Sequence, residues 1–71
     1  MKLDLHGIRH ENVRQLLDSH IYRNEPPFEV VTGNSLRMKQ IVIEVLKEYD
    51  LHYLDLHSAS IIVLSEELWQ D

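Results

Sequence analysis

The chain opens on a two-residue alternation. Leu3 and Leu5 fall on one side and Lys2, Asp4 and His6 on the other, the period of a half-buried strand over residues 2–6. Gly7 ends it. The period then changes: Val13, Leu16, Leu17 and Ile21 recur at three- and four-residue steps, which predicts a helix over 10–24 with those four residues as its buried stripe. Glu11 suits the positive end of that helix and Arg23 the negative end. Asn24 is a candidate C-cap, and Pro26-Pro27 forbids continuation. Phe28-Glu29-Val30-Val31-Thr32 has the β-branched and aromatic content of a second strand. A second helix is expected over 35–49, capped by Asn34 or Ser35, buried through Ile41, Val42, Val45, Leu46 and Tyr49, and ended by Asp50. Alternation returns at residues 52–57. The run from Ser60 to Ser65 is almost wholly apolar, as in a strand buried on both faces.

The order is βαβαββ. Helical crossovers allow parallel neighbours, whereas the short 57–60 link permits only an antiparallel hairpin, so the sheet is four-stranded and mixed. Two helices cannot cover both faces of such a sheet. The expected fold is therefore α/β in the sense of an α+β two-layer sandwich, with both helices on one face and the other face open. Leu3 and Leu5 then face the helices, and Asp4 and His6 lie on the open face.

Composition narrows the setting. A chain of 71 residues is one domain, residues 1–71, with a thin stability margin. It has no cysteine, so neither a disulfide framework nor a thiolate metal site is available. No apolar run is long enough to span a bilayer and no signal-peptide core opens the chain, so a cytoplasmic protein with no membrane partner is expected. The formal net charge of −5 argues against generic nucleic-acid affinity, which comes mostly from Lys and Arg on phosphates, but leaves room for a local basic patch.

Two stretches carry candidate chemistry. Asp4 and His6 project to one face of a strand, where a carboxylate can orient or charge-stabilise an imidazole that handles a proton or a metal. The competing reading is an ordinary solvent-facing strand side. Thr32-Gly33-Asn34-Ser35 joins a strand to a helix, and a glycine there lets backbone amides approach an anion. Arg37 and Lys39 follow in the first helical turns, where cations oppose the helix dipole and a bound phosphate would account for them. The competing reading is a plain N-cap with two exposed basic residues. Gly7 and Gly33 both sit at carboxyl ends of expected parallel strands, the usual place for ligands in such sheets. Leu54-Asp55-Leu56-His57 repeats the tetrapeptide of residues 3–6, and a metal site built from both copies would need them close together. No role is assigned to His10, His20 or His52. Trp69 is expected to fold back on apolar surface rather than stack on a base.

Leu-Asp-Leu-His-Gly at 3–7, a helix, Val-Val-Thr-Gly at 30–33 and a second helix resemble the small MutS-related (Smr) domain family over essentially the whole chain. The resemblance implies a fold similar to the C-terminal domain of translation initiation factor 3. It also implies DNA or RNA as partner, structured or branched forms included, and a nicking endonuclease activity in which a divalent metal has a place. By motif it carries catalysis to Asp4 and His6, and phosphate contact to Gly7, Thr32, Gly33, Asn34, Ser35, Arg37 and Lys39. Ser35 stands where the family has its second glycine, and Ser58-Ala59-Ser60 replaces a glycine-rich stretch before the last strand. Both departures bear on cleavage more than on fold. A binding module without catalysis and a protein-interaction adaptor keeping only the fold are the alternatives.

Overall fold

Two periods, one of two residues and one of 3.6, set the layers. The structure, a computed structural model, describes residues 2–65; Trp69 lies outside them. Strands β1 (Lys2–Asp4), β2 (Phe28–Val31), β3 (His52–Asp55) and β4 (Ser60–Leu64) form one sheet in the order β1-β2-β4-β3, with helices α1 (His10–Arg23) and α2 (Leu36–Glu48) between the first three strands. β1 and β2 are parallel, while β4 runs antiparallel to both β2 and β3. The two-layer α+β expectation therefore holds, mixed sheet included.

The registers show what each face carries. Leu3, Val30, Ile61 and Asp55 lie in one row across the sheet, and Phe28, Val63 and Tyr53 in the next. These rows face the helices. Leu5, Phe28, Val30, Ile61 and Val63 join Val13 and Leu17 of α1 and Met38, Val42, Val45 and Leu46 of α2 in a single buried cluster, with Leu3 and Tyr53 packed against it. The alternate rows, Lys2-Glu29-Ile62-Leu54 and Asp4-Val31-Ser60, form the opposite face. No helix among the described residues is long and apolar enough to cross a membrane.

Three expectations change, and the facing of β3 emerges with them. Leu16 is not buried: the stripe of α1 keeps Val13 and Leu17, with half-buried Ile21 packed beside them, and Leu16 is 40% exposed. Tyr49 is also exposed, beyond the last turn of α2, where its hydroxyl donates to Asp18 Oδ1 at 3.1 Å; Met38 takes the buried place at the other end of that helix. β4 alternates instead of being buried on both sides, with Ile61 and Val63 inside and Ile62 and Leu64 half-buried on the open face. In β3 Leu54 faces outward and, like Leu56 just past the strand, is about half exposed, while Tyr53 and Asp55 turn toward the helices. The register with β4 decides this, because Leu54 sits opposite Ile62 on the uncovered face.

The helices are also tied to each other from outside. Arg14 donates through both terminal guanidinium nitrogens to Glu48, at 2.7 and 2.8 Å. That two-pronged contact raises the Arg14 pKa and lowers that of Glu48.

His20 adds a pH term. Its ring meets the ring of Phe28 edge-on at 4.7 Å, Nδ1 lies 3.4 Å from the Asn24 amide nitrogen, and Nε2 is buried with no hydrogen-bond partner. Burial disfavours the imidazolium and lowers the pKa. The unfolded chain therefore takes up a proton near the ordinary histidine value of about 6.5 before the folded one does. Above that value His20 has no effect on stability; as pH falls below it, stability is lost until the folded group also protonates. Thermal unfolding followed between about pH 7.5 and 5.5 is expected to show this loss. In His20→Phe the loss over that window should shrink, and an unchanged slope would show that other groups carry it.

Candidate functional site

The site is built at the carboxyl ends of β1 and β2. Pairing runs one residue past β1, since Leu5 N–H donates to Val31 O at 2.8 Å, and the Leu5 side chain is fully buried. The chain then turns sharply. Ile8 N–H donates back to Leu5 O at 3.0 Å, with His6 and Gly7 at the corners and Gly7 at φ +81°. A turn with positive φ at its third residue selects glycine there. His6 thus belongs to the turn and not to the strand, and it is exposed.

Asp4 helps make that turn. Its Oδ1 accepts from the backbone N–H of His6 at 2.9 Å, the local carboxylate-to-backbone bond typical of Asp at strand ends. Asp55 makes the same bond to His57 N–H at 2.9 Å. The two Asp-Leu-His copies lie at opposite edges of the sheet, so they do not combine into one metal site. The same bond forms in both copies, so it is a property of the Asp-Leu-His tripeptide wherever it meets a turn.

The second turn lies against the first. Gly33 has φ +69°, and a side chain placed on it would begin 3.9 Å from His6 Cδ2. The two glycine turns expected to adjoin therefore do so, with the imidazole beside Gly33. The hairpin between β3 and β4 joins them. Ala59 O accepts from Thr32 N–H at 2.7 Å, Gly33 N–H at 3.1 Å and the Thr32 hydroxyl at 3.2 Å. The Thr32 side chain is buried and its hydroxyl also lies 2.9 Å from Gly33 O.

These bonds divide the anticipated phosphate contacts into two sets. Thr32 and the Gly33 amide are engaged inward on Ala59 O. Ser35, not Asn34, caps α2, its hydroxyl accepting from Met38 N–H at 3.1 Å. Lys39 is no exposed cation: it is 11% exposed and lies 3.4 Å from Asp55 Oδ1, beneath the edge strand. The His57 N–H and then Lys39 hold the Asp55 carboxyl below its ordinary value. The cation that seemed to need a phosphate is thus matched by a carboxylate 16 residues away in sequence. The second set faces outward: His6, Gly7, Asn34 and Arg37 are exposed or half-exposed, and none of their side chains has a hydrogen-bond or ion-pair partner among the described residues.

No group of three or more His, Asp or Glu is gathered to hold a metal ion among the described residues. Asp4 and His6 supply at most two donors, and Asp4 already accepts the His6 amide. Among the described residues, these two do not make a divalent-metal site by themselves.

Residue types alone assign no role to the Ala59 carbonyl and do not pair Lys39 with Asp55. Ala59 acts through its backbone carbonyl, which leaves no trace in residue type. The ion pair depends on which way β3 faces, and that follows from register.

Fold and site together define a two-layer α+β domain whose two glycine turns and C-terminal hairpin meet at one end of the sheet. No protein-family model, curated protein or solved structure matches the chain.

Proposed function

We propose that the chain is a nucleic-acid-binding domain of the small MutS-related type, which grips a phosphate of the backbone between its two glycine turns. The observation that carries this reading is the placement of the exposed His6 imidazole against Gly33, with exposed, unpartnered Asn34 next in the chain and exposed, unpartnered Arg37 in the first turn of the helix that follows. Arg37 supplies the charge, the imidazole and the Asn34 amide supply hydrogen bonds, and Gly33 leaves the approach clear of a side chain. The engaged Gly33 amide and the inward Thr32 hydroxyl favour binding through side chains over a backbone anion cradle.

Strand cleavage is a second reading, favoured by the solvent access of His6. There the imidazole takes a proton from the attacking oxygen as it adds to phosphorus, and the bond from phosphorus to the leaving oxygen breaks. Asp4 contributes by fixing the turn, not by contacting the ring. One experiment separates the two. Gel shifts over a salt series with single- and double-stranded DNA and RNA should show binding that weakens as salt rises. Plasmid and RNA nicking assays, with and without divalent cations, are run on the same samples. Binding without nicking establishes the first reading, and nicking lost in His6→Ala establishes the second. Absence of binding at low salt would overturn both and leave the fold as a protein-interaction adaptor.

A further inference from the structure

A groove of about 440 Å³ begins at the first glycine turn and runs along the outer side of α1. Gly7, Ile8, Arg9, Asn12, Gln15 and Leu16 line it. It shares Gly7 with the phosphate site, so a ligand held there can continue into the groove without leaving the surface.

The lining is chemically specific. Asn12 and Gln15 are three residues apart on α1 and therefore lie on one side of it. Both are exposed, and neither amide has a hydrogen-bond partner among the described residues. A carboxamide presents a donor and an acceptor side by side, the complement of the adjacent amino group and ring nitrogen of adenine. Leu16, which the helical period would have buried, is 40% exposed here and with half-buried Ile8 gives the groove an apolar wall. Arg9 stands at its mouth. Its guanidinium lies 3.7 Å from Glu11, with side chains 82% and 73% exposed, and a contact so open to water holds it weakly. A guanidinium of this kind stacks readily on a base plane.

Resting on the nucleic-acid reading above, we infer that this groove is a nucleobase subsite for single-stranded nucleic acid, with adenine read by the Asn12 and Gln15 amides. The shape selects the single strand. A helix that reads duplex DNA enters the major groove as a convex ridge, whereas here the exposed amides border a shallow, open groove that meets a base only where the base is turned out of its stack. Arg9 covers the plane of the base, Leu16 and Ile8 form the wall beside it, and the attached phosphate lies toward His6 and Arg37.

Fluorescence anisotropy with dye-labelled homopolymers tests this, using oligo(A), oligo(U) and oligo(C) as RNA, their DNA counterparts and a mixed-sequence duplex. Adenine strands are expected to bind about tenfold tighter than pyrimidine strands, the discrimination of one good amide–base pair. The double variant Asn12→Ala/Gln15→Ala should lose that ratio while keeping the wild-type affinity for pyrimidine strands. Both positions are exposed and helical, and circular dichroism confirms that the variant is folded. Lack of an adenine preference, a preference that survives the double variant, or a duplex bound more tightly than every single strand would each overturn the subsite and leave the phosphate site standing. If no strand binds at low salt, both fall.

Discussion

Leu5→Ala is expected to lower the free energy of unfolding by roughly 2–5 kcal/mol, the range found when a large apolar side chain is removed from a packed core. Leu5 is fully buried in the cluster shared by both helices and the sheet. Its carbonyl and amide also close the first turn and extend the pairing with β2. At about 0.05–0.15 kcal/mol per residue, a domain of this size has little to spare, so the variant should be partly unfolded near physiological temperature. A urea titration checks this: the midpoint should fall with little change in slope. Leu5→Met, which nearly conserves volume, should cost less than about 1.5 kcal/mol. A shift in Leu5→Ala no larger than in Leu5→Met would show that the site does not depend on this anchor.

The second large effect is on binding. Arg37→Glu should weaken nucleic-acid affinity at low salt by about tenfold or more, because a phosphate contact is replaced by repulsion. It should also flatten the dependence of log affinity on log salt by about one unit, the signature of a lost phosphate neutralisation. Arg37 is exposed and makes no bond that holds the fold, so its thermal midpoint should stay close to wild type. Equal affinity and equal slope would place the phosphate elsewhere. Lys39→Glu is not an equivalent test, since it sets two carboxylates together beneath β3 and acts first on folding.

The contrast between those two cations shows how far residue patterns reach. Alternation at 2–6 and the 3.6-residue period of the helices predicted the elements in order, because each buries one face and must repeat accordingly. The short 57–60 link dictated an antiparallel hairpin, and the two glycines marked the turns after β1 and β2, both with positive φ. What residue types did not reveal was orientation across the sheet. Leu54 looks like a core residue, yet β4 holds it on the open face and turns Asp55 in toward Lys39. Leu16 fits the period of α1 but lies past the edge of what the sheet covers, so it borders the groove instead. The proximity of His6 to Gly33 followed from strand order; the inward use of Thr32 depended on a carbonyl 27 residues further on.

That carbonyl has a consequence for how the protein comes into being. Ala59 O is the acceptor that holds the Thr32-Gly33 turn, and it belongs to the hairpin that joins the last two strands. A nascent chain emerging from the ribosome presents both glycine motifs early, yet has nothing to close the second turn on until residues 52–64 have been made and have zipped onto β2. Synthesis therefore delivers the two glycine turns before the hairpin whose carbonyl holds the second of them. A growing chain that already displays Leu-Asp-Leu-His-Gly and Thr-Gly-Asn-Ser lacks the Ala59 contact on the second turn until β3 and β4 dock.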